Sequence, residues 1–450
     1  MNKLIVLTVL ALLSSTLSGH SKEEWKTRSI YQLLTDRFAK EGAQETDCNL
    51  SNYCGGTYKG LIERLDYIQG MGFNAIWISP IVKNTDGSYH GYHLIDLYKL
   101  NEHFGTEQDL VDLIAECHKR DIWVMVDVVA NHVGPVGTDY GRITPFNKAE
   151  HYHDICQITD WNNQWMVENC RLCDLPDLKQ ENGWVTQTLC DWITDLVIKY
   201  DLDGIRIDTI PEVPKWFWDK FSAASGVYQL GEVFNGNPSY VAGYQGHVDA
   251  LFNYPLYYTI KDSFCGSMRN IENYILNTRS IFPDPSVLGV FVENHDNPRF
   301  LNMCGDWKKF KNAAIFSMFF EGIPVFYYGG EQYFNGGADP NNREVLWGHY
   351  NVNSDLYIAL GKANKVRKQF QVWNSQMVQR YADDVFYAFT RGKVLVALTR
   401  GESCSRTITY HEYSTGTRLC NVLKDGDCYT VESWGINLNM DQDPKILVPQ

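Results

Sequence analysis

From Ser29 to Gly330 the chain alternates short apolar, β-branched runs with amphipathic runs of helical spacing. The strand-like runs span residues 30–38, 75–81, 123–132, 204–209, 228–234, 249–254, 288–296 and 324–331, and helical periodicity marks 61–70, 107–120, 185–200 and 214–225 between them. Runs that are apolar on both faces belong to buried parallel strands, and strand–helix units repeated eight times predict a (β/α)8 TIM barrel. Thr106 followed by Asp109 has the form of an N-terminal capping box, which places a helix start there.

Two stretches break the alternation. Residues 132–183 are far longer than an ordinary strand-to-helix loop and carry little periodicity, so they read as an inserted subdomain. After Lys365 short alternating runs (385–390, 393–398, 407–410) indicate a small antiparallel β domain. The expected division is 1–18 signal peptide, 19–131 with 184–370 barrel, 132–183 insert and 371–450 C-terminal β domain.

Several of the apolar runs end in acids. Asp203-Gly204-Ile205-Arg206-Ile207-Asp208 delivers Asp208 at a strand tip. Residues two apart on a strand share a face, so Arg206 lies beside it and favours its ionised form. Tyr228 to Phe234 places Glu232 near its end, and Val290 to Asp296 ends at His295 and Asp296. Three acids at the ends of separate strands indicate one shared pocket rather than three capping residues.

The N-terminus has Lys3, an apolar run from Leu4 to Leu13 and small residues up to Ser18. This is the layout of a secretory signal peptide, too short to span a bilayer, with cleavage expected between Ser18 and His20. A net charge of -14 without basic blocks argues against nucleic acid or an anionic membrane as partner. Twelve Cys in an exported chain should be largely oxidised. Cys48 with Cys54, Cys156 with Cys170 and Cys420 with Cys428 are close enough for local bridges, Cys117 and Cys190 read as buried thiols, and the pairing of Cys173, Cys265, Cys304 and Cys404 stays open.

Side by side, the strand ends carry a resemblance. Asp127-Val128-Val129-Ala130-Asn131-His132, Gly204 to Asp208, Gly231-Glu232-Val233 and Phe291-Val292-Glu293-Asn294-His295-Asp296 resemble, in order and spacing, the four signature regions of the α-amylase family of glycoside hydrolases, and Leu175-Pro176-Asp177-Leu178 resembles its fifth. The likeness runs from about Tyr31 to Arg343 and is closest to secreted fungal-type α-amylases.

The resemblance implies a retaining, endo-acting hydrolase of internal α-1,4 bonds in starch, glycogen or maltodextrins. By that likeness Asp208 is the nucleophile, Glu232 the acid/base and Asp296 the third carboxylate. Such chemistry needs one ionised and one protonated acid flanking the anomeric carbon. Desolvation near other acids would give Glu232 its proton. Also by resemblance, His90, Tyr92, His132, His295, Arg206, Asp339 and Arg343 line the sugar subsites, with Tyr92 stacking on the cleaved ring. Asn131 (amide oxygen), Glu168 (carbonyl), Asp177 (carboxylate) and Glu212 (carbonyl) would bind Ca2+ between barrel and insert.

The chain departs from its close relatives at Pro211 and Glu212, where a Lys-His pair is usual, at His93, where Trp is frequent, and at Ala242 and Phe282, near a family disulfide. A different bridge could join Cys265 and Cys304. Loss of the Lys-His pair removes polar contacts from the leaving-group side. The rival readings are an α-glucosidase or transglycosylase of the same family and a catalytically silent glucan-binding protein. The expected state is an extracellular or digestive-lumen monomer whose partner is an α-glucan. Asn49-Leu50-Ser51 is a candidate glycosylation acceptor.

Overall fold

The computed structural model describes residues 19–42 and 47–450, so the expected signal segment 1–18 lies outside the described residues. Eight parallel strands form the central sheet: β1 (Ile30–Gln32), β2 (Ala75–Ile78), β3 (Trp123–Val128), β4 (Gly204–Ile207), β5 (Tyr228–Gly231), β6 (Ala250–Leu251), β7 (Gly289–Val290) and β8 (Ile323–Tyr327). Their order is β6-β5-β4-β3-β2-β1-β8-β7. A parallel bridge between Phe252 and Gly289 joins the two outer edges and closes the barrel.

Side-chain alternation sorts each strand into two packed faces. Ile30, Ala75, Trp77, Trp123, Met125, Tyr228, Leu230, Ile323 and Val325 form one buried cluster in the lumen. Their neighbours Tyr31, Ile76, Ile78, Val124, Val126, Ile205, Ile207 and Phe326 belong to the other, beneath the helices. Both faces are covered, which is why the runs read as continuously apolar. Trp25 plugs the lumen at the strand starts, stacked on Tyr228 at 4.8 Å. A Cβ at Gly204 would come within 2.8 Å of its ring, so glycine is what lets β4 pass.

The strands are shorter than the apolar runs. Residues 33–38, 79–81, 129–132, 208–209, 232–234, 253–254, 291–296 and 328–331 leave the sheet and turn over its C-terminal rim. Pairing ends there because the chain splays outward, while burial under the rim keeps residues such as Val129, Val233 and Phe291 apolar. The expected helix 61–70 is two pieces, Tyr58–Glu63 and Leu65–Gly70, broken at Arg64. Four helices of nine or more residues escaped the sequence reading, besides several shorter ones: Tyr254–Cys265, Arg269–Asn277, Trp307–Phe319 and Asp355–Phe370. In Trp307–Phe319 nearly every residue from Phe310 onward is buried, so no polar face marks the period.

Between β2 and β3 a hairpin, Val82–Asn84 with Leu94–Leu100, carries the loop with His90 and Tyr92. Residues 132–183 hold only two 3-10 turns and the helix Gln164–Asn169. They are pinned to the barrel by an antiparallel bridge between His132 and Asp177 and by Leu178 N donating to Asn131 O at 2.8 Å. The C-terminal region forms a six-stranded antiparallel sheet and a two-stranded ribbon. Arg391 ties it to the barrel by donating to the carbonyls of Phe319 and Phe320, and braces its own first residues through the carbonyls of Val372 and Ser375.

The three local bridges form as expected, and Cys265 pairs with Cys304. Cys117 is a buried thiol, but Cys190 is half-exposed because its helix face meets solvent, and Cys173 and Cys404 are unpaired. Ala242 and Phe282 are buried, so apolar packing occupies their positions.

The capping box is formed: Thr106 Oγ1 accepts from Asp109 N at 3.2 Å, and Asp109 Oδ2 accepts from Thr106 N at 2.9 Å. Thr106→Ala is expected to lower the unfolding free energy by about 1 kcal/mol, read as an earlier urea midpoint with an unchanged slope.

Candidate active site

Strand parity decides what points into the mouth of the barrel. On β3 the lumen series Trp123, Met125 continues to Asp127; on β5, Tyr228 and Leu230 lead to Glu232; on β4, Gly204 leads to Arg206 and Asp208. Asp127 and Arg206 are register partners across β3 and β4. Four charged groups from three adjacent strands therefore meet at one level.

Arg206, buried, is the centre of that level. Its Nη1 donates to Asp208 Oδ1 at 2.8 Å and to both oxygens of Asp127 at 3.0 and 3.1 Å. Its Nη2 lies 2.6 Å from Glu232 Oε2. One cation facing three buried carboxyl groups cannot leave all of them ionised, because each unpaired charge away from water costs several kcal/mol. Burial pushes Asp127 up to about 7 against the pull of Arg206. Burial also pushes Glu232 well above the carboxylate range; Arg206 opposes this, while Asp208, Asp296 and Glu212 add like charge. Protons thus stay in the cluster at neutral pH, with Glu232 a holder.

Glu232 Oε1 accepts from Tyr254 OH at 3.2 Å, and Tyr254 accepts from Asn294 Nδ2 at 2.9 Å, so its rotamer is fixed from the far side. Thr209, immediately after Asp208, has φ 50°, a conformation disfavoured for a β-branched residue. That turn sends Ile210 N to Glu232 O at 3.0 Å, tying the β4 and β5 tips together.

A polar chain runs around the rim. Gln32 Nε2 sits 2.7 Å from His295 Nδ1, His295 Nε2 lies 2.7 Å from Tyr92 OH, and Tyr92 OH donates to Asp127 Oδ2 at 2.7 Å. Burial, with Arg206 and Arg343, holds His295 well below its ordinary value, so it is neutral. A neutral ring taking a proton from Gln32 on Nδ1 donates from Nε2, which lets the tyrosine hydroxyl donate to the carboxylate. Trp77 Nε1 supplies a third donor to Asp127, after Arg206 and Tyr92, at 3.2 Å.

Asp296 is carried past β7 and stands 3.6 Å from Arg343 Nη2; burial raises its carboxyl despite that arginine. Arg343 also holds Asp339 at 3.1 Å and is itself placed by donating from Nε to the His295 carbonyl at 2.9 Å. His90 stacks on Tyr92 at 5.7 Å and accepts from Tyr92 N on Nδ1 at 3.1 Å, which leaves the proton of the neutral ring on Nε2. His132 is buried, with Nε2 3.1 Å from the Tyr92 carbonyl. Both nitrogens of His295 and Nε2 of His132 are therefore occupied by protein, which makes them holders of Tyr92.

A scan of the sequence against family descriptions matches "Alpha amylase, catalytic domain" over residues 32–383. The α-amylase of Saccharomycopsis fibuligera is 40% identical over 95% of this chain and 92% of its own length. The chain belongs to the α-amylase family of glycoside hydrolases. Among solved structures, an α-amylase from Malbranchea cinnamomea superposes with a TM-score of 0.92 at 40% identity, covering 96% of this chain and 98% of that one. An α-amylase from Geobacillus thermoleovorans, solved with acarbose, gives 0.86 at 32% identity over 95% and 99%.

The residues read as calcium ligands of this α-amylase-family chain are largely brought together. The Asn131 amide oxygen faces the Glu212 carbonyl oxygen at 3.2 Å and Asp177 Oδ1 at 2.9 Å. Three oxygens confronting one another require either an amide turned to donate or a cation among them. Amide, carbonyl and carboxylate oxygens are the donor set of Ca2+, so the residues fit it. Among the described residues no group of three or more His, Cys, Asp or Glu side chains is placed to hold a metal. Glu168 lies on the helix Gln164–Asn169, which Gln164 ties to the Pro211 carbonyl at 3.0 Å.

Asp127, Gln32, Trp77 and Tyr254 were not singled out by sequence reasoning. The signal for Asp127 was available: setting the two motifs in parallel register pairs it with Arg206. Tyr92→Phe leaves Asp127 and His295 each short of a partner. It is expected to lower kcat by about tenfold to a hundredfold with an unchanged circular dichroism spectrum, checked by steady-state kinetics.

Proposed function

We propose that this protein is a secreted, calcium-binding, endo-acting α-amylase that cleaves internal α-1,4-glucosidic bonds with retention of configuration. The observation that carries the reading is the single Arg206 guanidinium shared by Asp208 and Glu232. A common cation favours the close carboxyl spacing of retaining enzymes, about 5–5.5 Å, over the wider spacing of inverting ones.

Glu232, retaining its proton, gives it to the glycosidic oxygen as that bond breaks. Asp208 attacks the anomeric carbon from the opposite face and forms a glycosyl ester. Glu232, now a carboxylate, takes a proton from water, whose oxygen attacks the same carbon and frees Asp208. Asp296 binds hydroxyls of the distorted ring, Tyr92 packs on its face, His90 Nε2 donates to it, and Asp339 with Arg343 holds the next glucose. His132 and His295 keep Tyr92 in place, and Arg206 divides the charge.

Calcium held by Asn131, Asp177, the Glu212 carbonyl and the Glu168 carbonyl would join residues 132–183 to the barrel; bound there, it supplies structure to the cleft wall. The proposed parts are a leader in 1–18, a barrel in 19–131 and 184–370, an insert in 132–183 and a β domain in 371–450. Four disulfides support an oxidising, extracellular setting. No helix of the described residues is long and apolar enough to cross a membrane. The proposed working form is a monomer whose partner is the glucan.

Asp208→Asn is expected to reduce starch hydrolysis by more than about a thousandfold; retained activity would remove Asp208 from the role. On an end-blocked maltooligosaccharide the wild-type enzyme should cut internally and give α-anomeric products by NMR. Release of terminal glucose alone would favour an α-glucosidase instead. Because the acid must be protonated and burial raises it, the alkaline limb of kcat/KM should lie well above the ordinary glutamate value of about 4.3. Incubation with a chelator should lower Tm and activity together, and added Ca2+ should restore both.

A further inference from the structure

The opposite end of the barrel holds a cavity of about 690 Å³ between the starts of β1, β2 and β3 and the C-terminal turn of the helix Asp355–Phe370. That volume lies within the usual range of small-molecule sites, about 300–1,000 Å³. Its walls carry Arg28, Arg120, Lys365, Arg367 and Lys368 against a single acid, Asp121. In a chain of net charge -14 this is a local reversal of sign.

Two of the five cations are paired. Arg28 Nη1 donates to Asp121 Oδ1 at 2.9 Å, and Arg120 pairs with Asp66 outside the cavity. Lys365, Arg367 and Lys368 form no ion pair with any described carboxylate. Arg367 is 2% exposed. Its Nη1 donates to the Met318 carbonyl, while Nη2 is buried with no hydrogen-bond partner. Burial, with the nearby positive charge of Arg391, pulls this arginine down to about 9, the mark of an uncompensated cation. A buried guanidinium edge without a partner is costly to fold around. Trp373 closes one side with a partly exposed ring, a surface on which a sugar or other flat group can rest.

We propose that this cavity is a binding site for a phosphate-class oxyanion, set on the face of the barrel remote from the catalytic carboxyls. Lysine and arginine around one hollow are the common chemistry of phosphate recognition; an oxyanion there would be met directly by the unpaired, exposed Lys365 and Lys368, with the buried Arg367 guanidinium adding positive charge behind them. Two sources offer that group: free inorganic phosphate, and a phosphate monoester carried on a sugar, for which Trp373 would provide the ring platform. The site stands apart from the catalytic reading and does not depend on it.

The test is calorimetric titration of the full chain with sodium phosphate against sodium chloride at matched ionic strength, and then with glucose 6-phosphate against glucose. Saturable phosphate binding is expected, weakened about tenfold or abolished in Lys365→Ala/Lys368→Ala, whose two positions are exposed and whose Tm in phosphate-free buffer should match wild type. Hydrolytic kcat and KM should be unaffected by phosphate. Tighter binding of glucose 6-phosphate than of phosphate identifies the ester as ligand, and equal or weaker binding identifies the free anion. Absence of saturable binding, an unchanged affinity in the double variant, or competitive inhibition of hydrolysis by phosphate would each overturn the site.

Discussion

The structure depends on one charge imbalance: a buried arginine on β4 serves three carboxyl groups and can neutralise only part of them. Arg206 contacts Asp127, Asp208 and Glu232 within 2.6 to 3.1 Å. In a medium of low polarisability the excess acid is relieved by protonation, and burial selects which group keeps the proton. The pair with opposite tasks, one carboxylate and one acid, follows from this arithmetic rather than from any difference between aspartate and glutamate. Strand parity then does the positioning, because Arg206, Asp208, Asp127 and Glu232 continue the inward series of their strands.

Around this centre the remaining groups hold geometry. The Gln32–His295–Tyr92–Asp127 chain is directional only while His295 stays neutral, and its burial beside two arginines ensures that. Tyr92 is thereby fixed by its hydroxyl, by His90 at its backbone amide and by His132 at its carbonyl. A ring so constrained can meet a sugar face without losing further conformational freedom. The long connection after β3 supports the same wall, since Asn131 and Asp177 face each other across its two ends.

Much of this was legible in the sequence for a physical reason. Barrel strands buried on both faces give continuous apolar runs, and charges at their ends stand out against them; Asp208, Glu232 and Asp296 were visible that way. Strand ends were not, because Val129, Val233 and Phe291 stay buried under the rim after pairing stops. Asp127 was passed over because Arg206 was read with its neighbour on the same strand, whereas its bidentate contact crosses to β3. The helix Trp307–Phe319 lacks a polar face strong enough to show the helical period. The Cys265–Cys304 bridge joins two elements whose proximity only the closed barrel creates.

The most direct test of the charge division is to trap the glycosyl–enzyme with a 5-fluoroglucosyl fluoride and locate the added sugar by peptide mass mapping. The account predicts a single label on the Asp208 carboxylate, because burial leaves the proton on Glu232 and assigns it the part of the acid. A label on Glu232 or Asp127 would contradict it.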